Sequence, residues 1–281
     1  MIRAFCCLAF VGLAAPATAQ VTPYDPAAIE VDVELLLLVD VSRSMSPQEL
    51  AIQRRGYAEA LASDQVFTAI QGGLIGHVAV AYVEWAGAYS QRVVQDWTII
   101  RSREDALAFA EAIHFSVGEG MRRTSISSAL SVGAAYFQDN GYNGLRRVID
   151  VSGDGPNNAG VPVQQARDQV IAQGFTINGL PLMTRDGLGS IWTIDDLDLY
   201  YRDCVIGGPG AFLVPVHDWS EFAAAVRRKL VLEIAGLTVP PPDAPDAPDA
   251  HMGPRVIPVQ SATDCMIGEK IWQRYREGWE P

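Results

Sequence analysis

Leu35-Leu36-Leu37-Leu38-Val39-Asp40-Val41-Ser42-Arg43-Ser44, followed almost at once by Ser46-Pro47-Gln48-Glu49, is the stretch that decides the fold. An unbroken apolar run that stops at polar residues is the pattern of a strand buried on both faces of a parallel sheet. Ser46 is a good helix N-cap, Pro47 suits the first helical position, and Glu49 completes a capping box. Asp40, Ser42 and Ser44 therefore fall on the loop between a central strand and the next helix. That is the edge at which open α/β sheets bind ligands. One carboxylate and two hydroxyls on a tight loop are hard oxygen donors, suited to Mg²⁺, Mn²⁺ or Ca²⁺.

Outward from this stretch, strand and helix signals alternate, as in βαβ units. Residues 33–40, 77–85, 147–151, 175–182 and 211–216 read as strands, and 91–97 as one more. The short turn 86–90 before that last segment predicts a hairpin, hence one antiparallel edge. Helices are expected over 47–61, from 102 to about 115, and over 126–137 and 162–173, with a short one over 194–201 and a longer one over 219–234. The expected fold class is α/β, Rossmann-like, with a mostly parallel central sheet, one antiparallel edge strand and helices on both faces.

Residues 1–19 carry an early Arg3, an apolar stretch and Ala17-Thr18-Ala19, the pattern of a secretory signal peptide cleaved before Gln20. The stretch is too short for a retained membrane span. The expected organisation continues with a lead-in over 20–32, the α/β domain over 33–236, a Pro/Asp/Ala linker over 237–250 and a tail over 251–281, with a helix from 264 to about 277. The expected location is the periplasm or the exterior. The chain holds 21 Lys and Arg against 33 Asp and Glu, a formal charge of −12. That balance argues against nucleic acid and against anionic membrane surfaces. After cleavage Cys204 and Cys265 remain. In an oxidising compartment they are a disulfide candidate that would staple the tail to the body; two buried thiols are the alternative.

Two further loops open on the same sheet edge as Asp40. Residues 118–124 precede a helix and end in Thr124, and the strand 148–151 runs into Ser152-Gly153-Asp154-Gly155. Two carboxylates, three hydroxyls and water would complete an octahedral oxygen shell for Mg²⁺ at about 2.0–2.1 Å. Taken one at a time, each loop is explained by turn and capping chemistry. In order, Asp40-x-Ser42-x-Ser44, Thr124 and Asp154 resemble the metal-ion-dependent adhesion site (MIDAS) of a von Willebrand factor A-type domain, over about residues 30–235. Residues 201–212 and 228–233 also resemble an uncharacterised subgroup of secreted bacterial proteins. The resemblance implies a divalent cation, Mg²⁺ first and Mn²⁺ or Ca²⁺ next. Asp40, Ser42 and Ser44 would ligate directly, and Thr124 and Asp154 directly or through water. An acidic side chain from a protein partner would complete the shell.

This chain departs from that pattern at Arg122 and Arg123, where family members often carry glycines. The two arginines either repel the cation, clamp a partner carboxylate, or face solvent. Asn157 and Asn158, beside Asp154, are read as further partner contacts, with surface turn chemistry as their alternative. No catalytic residue is assigned and no enzyme is expected. The second acid of an aspartyl phosphotransferase loop would stand at Ser42, Gly-x-Ser-x-Gly and Gly-Lys-Ser/Thr motifs are absent, and His77, His114, His217 and His251 lie away from the three loops. A structural module whose metal only steadies the loops is the other reading, with a metal-dependent hydrolase behind it.

Overall fold

The computed structural model describes residues 26–114, 120–184, 192–236 and 263–278. The expected signal peptide and linker lie outside these residues. The elements in chain order are β1 (Ile29–Asp40), α1 (Pro47–Leu61), α2 (Asp64–Gln71), β2 (Val78–Trp85), β3 (Gln91–Ile100), α3 (Arg103–His114), α4 (Ile126–Ala135), β4 (Tyr142–Gly153), α5 (Val163–Ala172), β5 (Thr176–Pro181), α6 (Leu197–Tyr200), α7 (Phe222–Ala235) and α8 (Ile267–Glu277). A π-helical turn, Tyr201–Val205, follows α6 directly.

The described strands form one sheet in the order β3-β2-β1-β4-β5. All neighbours are parallel except β2 and β3, the expected hairpin edge. The apolar run of β1 occupies the centre because it is buried on both faces. Leu35, Leu37 and Val39 pack into a core with α1, α3 and α7, whereas Leu36 and Leu38 pack into a second core with α4 and α5. Ser46 and Glu49 form the predicted capping box, which fixes the start of α1 just beyond the Asp40 loop.

Several elements differ from expectation. β1 and β4 both begin earlier than their apolar segments, pairing from Ile29 with Tyr142. The polar early residues are paid into backbone partners: Glu34 accepts from Gly144 N at 2.7 Å, and Asp32 accepts from Ile75 N and Gly76 N. Helix α2 was not expected; Ser63 caps it and Val66 and Ile70 bury one short face. Residues 211–216 form no regular strand. They make only isolated bridges to β5, Gly179 with Leu213 and Leu182 with Val216. Val214 N and Val216 N donate to Gly179 O and Pro181 O, but Pro181 lacks the N–H that would donate back to this segment.

Two buried ion networks tie helices to the sheet. Glu84 on β2 accepts from Arg54 at 2.8 Å and pairs with Arg92. Lys229 on α7 lies 2.6 Å from Asp150 on β4 and also pairs with Glu233, which accepts from Asn178 at 2.8 Å. Burial, opposed by Lys229, pushes the Glu233 carboxyl up to about 7.

Candidate metal centre

Sheet register places the two acids. Val39 pairs with Ser152, so Asp40 ends β1 beside Gly153, and Asp154 follows on the loop after β4. On either side of β1 the chain leaves in opposite directions along the sheet, to β2 on one side and β4 on the other. The loops therefore meet at a topological switch point.

Asp40 is fully buried. Its Oδ1 accepts from Ser42 N at 2.7 Å, and its backbone carbonyl accepts from Gln53 Nε2 at 2.8 Å. The Ser42 and Ser44 hydroxyls lie 2.9 Å apart, and the Ser44 hydroxyl donates to Asp154 Oδ1 at 2.8 Å. A Cβ on Gly153 would stand 3.0 Å from Asp40 Oδ2 and 2.8 Å from the Tyr201 hydroxyl, so only glycine leaves both oxygens their space. Thr124 is buried and its loop is stitched in place. Thr124 N donates to Asn158 Oδ1 at 3.0 Å, Asn158 N donates to Thr124 O at 2.8 Å, and Met121 N donates to Val41 O at 2.8 Å.

The electrostatics fit a divalent cation between the two acids. Asp40 Oδ2 is buried with no hydrogen-bond partner among the described residues. Burial, reinforced by the neighbouring Asp154, raises the Asp40 carboxyl well above the ordinary range. Burial also raises Asp154 to about 6. Two buried acids side by side resist ionising together unless a cation sits between them. Among the described residues no three His, Cys, Asp or Glu side chains converge on one point. The donor set is therefore two carboxylates and hydroxyls, which suits a hard cation that keeps water in its shell.

A cavity of about 430 Å³ opens over Ser42, Ser44 and Thr124. Arg122 and Arg123 are exposed and line it. Arg123 has φ of 75°, a left-handed conformation that glycine adopts without cost and that other residues pay about 1 kcal/mol to hold. Its guanidinium lies 3.5 Å from the centre of the Trp272 ring. Asn157 does not face the cavity. It is fully buried, accepting from Ser127 N at 3.0 Å and donating to Val161 O and Glu269 Oε1. It holds the start of α4 and the tail, and the residue that lines the cavity is its neighbour Asn158.

The tail docks on this edge. Cys204 and Cys265 form a disulfide with 5.6 Å between their Cα atoms, and α8 follows directly. Trp272 and Tyr275 of α8, with Trp192, form the outer wall of the cavity. Gly268 lies so close to Asn157 that a Cβ there would stand 2.1 Å from its carbonyl oxygen. Asn158, read with Asn157 as a partner contact, does line the cavity, whereas Gln53, Tyr201 and this aromatic wall carry no sequence signal that ties them to the metal loops.

No curated protein matches the sequence. The profile of a family described as "Protein of unknown function (DUF1194)" matches residues 30–238. Among solved structures, proximal thread matrix protein 1 from the mussel byssus is similar at 19% identity with a TM-score of 0.51, covering 74% of this chain and 49% of that one. A second structure of that mussel protein, described as having a zinc occupied MIDAS motif, is similar at 18% identity and a TM-score of 0.51, with the same coverage. The pilus adhesin SpaC from Lactobacillus rhamnosus GG is similar at 12% identity and a TM-score of 0.52, covering 73% of this chain and 31% of that one. The chain thus spans about half the length of the mussel protein, 49% by coverage. At such identities the likeness is one of fold alone.

Proposed function

This chain belongs to the DUF1194 family, and we propose that it is a divalent-cation-dependent protein-binding module that acts outside the cytoplasm. Asp40, Ser42 and Ser44 would hold the cation directly, with Thr124 and Asp154 ligating directly or through water. The cation would act as a fixed positive charge with an open position for a carboxylate from a partner. Mg²⁺ is the first choice for an all-oxygen donor set, with Mn²⁺ and Ca²⁺ next.

The observation that carries this reading is the buried Asp40 Oδ2, which has no hydrogen-bond partner among the described residues and lies beside Asp154. An orphaned buried carboxylate oxygen costs several kcal/mol in order of magnitude unless a charge answers it. Export is supported by the apolar N-terminal stretch and by the disulfide. No described helix is long and apolar enough to cross a membrane. The acidic balance of the chain weighs against nucleic acid as partner.

Calorimetric titration of Mg²⁺, Mn²⁺ and Ca²⁺ into chelator-stripped protein tests the site. Saturable binding that Asp40→Ala abolishes, while circular dichroism stays native, is the expected result. Equal binding by both proteins would refute the assignment. Cross-linking to partners with and without chelator then separates recognition from a metal that only steadies the loops. In the latter case chelator lowers the melting temperature but leaves partner capture unchanged.

A further inference from the structure

The tail is not incidental to the cavity. Three rings, none of them buried, stand over the metal loops. The Trp192 and Trp272 ring centres are 5.5 Å apart, Trp192 and Tyr275 are 4.9 Å apart, and Trp272 and Tyr275 are 5.6 Å apart. Tyr275 is exposed and the two tryptophans are half-buried, and aromatic rings that line an open cavity are common at ligand sites. Their position is fixed by the Cys204–Cys265 disulfide, by the bond from Asn157 to Glu269 at 2.7 Å and by the close seat of Gly268. Helix α8 is thus held as a wall of the cavity.

We propose that this wall makes the metal face a pocket for a carboxylate joined to a flat apolar group, as at the C-terminal aromatic residue of a peptide or in a free aromatic acid. This deepens the metal-site reading and rests on it. Three features converge on that chemistry. Ser42, Ser44 and Thr124 form the floor, where a carboxylate would meet the cation. Arg122 and Arg123 form a cationic rim on a chain whose net charge is −12, and guanidinium pairs with carboxylate through paired hydrogen bonds. Arg123 covers one face of Trp272, and the remaining ring surfaces of Trp192, Trp272 and Tyr275 that line the cavity offer contact for a flat apolar group.

Size decides between a slim ligand and a broad one. The cavity volume of about 430 Å³ lies within the range of roughly 300–1,000 Å³ typical of small-ligand sites. A folded partner buries about 800 Å² of its own surface in a standard interface. A cavity lined on one side by Trp272 and Tyr275 of α8 and on the other by Ser42, Ser44 and Thr124 suits a chain end better than a flat surface of that extent.

The test titrates purified protein, disulfide intact and saturated with Mn²⁺, with N-acetyl-Gly-Gly-Phe as free acid and as amide, and with 3-phenylpropionate. The expected result is saturable binding of a free acid, at least tenfold weaker binding of the amide, and at least tenfold weaker acid binding to Trp272→Ala and to Tyr275→Ala at unchanged Mn²⁺ affinity. Binding of the peptide acid well above 3-phenylpropionate assigns the pocket to a chain terminus, and equal binding assigns it to a free acid. Normal Mn²⁺ binding with neither acid bound, or acid binding that Trp272→Ala leaves unchanged, overturns the pocket while sparing the metal site. Failure of Mn²⁺ itself to bind overturns both.

Discussion

Replacing Asp154 with Asn asks whether the site is built at the expense of the metal-free fold. In the folded chain Asp154 titrates at about 6, raised from an ordinary 3.8 by burial. At pH below 3.8 the group is protonated folded and unfolded, and it carries no charge penalty. Between 3.8 and about 6 the unfolded chain releases a proton that the folded chain keeps, so stability falls as pH rises. Above about 6 the whole penalty is present. A shift of roughly two units, at about 1.4 kcal/mol per unit, is on the order of 3 kcal/mol. Asn removes the charge and keeps an oxygen that can accept from the Ser44 hydroxyl. In chelator at pH 7.5 Asp154→Asn should therefore melt above the parent, by roughly 6–12 °C for a domain of this size. At pH 4 the two should melt together. Saturating Mn²⁺ should stabilise only the parent, by about 2.7 kcal/mol at one hundred times the dissociation constant, closing most of the gap. Thermal unfolding followed by circular dichroism reads all three conditions. The raised carboxyl of Glu233 is common to both proteins and cancels. A variant less stable than the parent in chelator at pH 7.5, or a gap that persists at pH 4, would refute the reasoning.

Gly153→Ala places a methyl 2.8 Å from the Tyr201 hydroxyl and 3.0 Å from Asp40 Oδ2. It should cost about 1–3 kcal/mol by overpacking and weaken Mn²⁺ at least tenfold, whereas an unchanged calorimetric titration would show that Asp40 does not need that space. Lys229→Met leaves Asp150 and Glu233 facing each other in the core without their cation. Urea unfolding should show a loss of about 3–5 kcal/mol, and a loss under about 1 kcal/mol would mean that the pair takes up a proton at little cost. Replacing both Cys204 and Cys265 with Ser opens a loop of 61 residues' separation. The entropy of that closure is about 4 kcal/mol, so hydrogen exchange in α8 should speed up by as much as roughly a thousandfold while β1 and β4 keep their protection. Unchanged protection of α8 would show that its packing alone holds the tail.

The local signals were legible because their physics is local. A capping box, a proline at the first helical turn and an apolar run define α1 and the core of β1 without reference to any other part of the chain. The short turn before β3 likewise announced the antiparallel edge. The early halves of β1 and β4 were not legible, since polar residues such as Glu34 extend a strand only when a neighbouring backbone accepts the pairing. Residues 211–216 look like a strand on composition, yet Pro181 in β5 withholds the N–H that a continuous ladder with them needs, and only their pairing reveals it.

The sequence by itself determined which edge of the sheet carries Asp40, Ser42, Ser44, Thr124 and Asp154, because strand alternation and helix caps place every loop of a parallel sheet. Tertiary structure alone decided what stands over that edge. Asn157 turns inward to hold Glu269 and the start of α4, and Arg123 stacks on Trp272. The disulfide carries α8 across the site from a segment 61 residues away in sequence. Those contacts join residues far apart along the chain, and packing, not any local pattern, selects them.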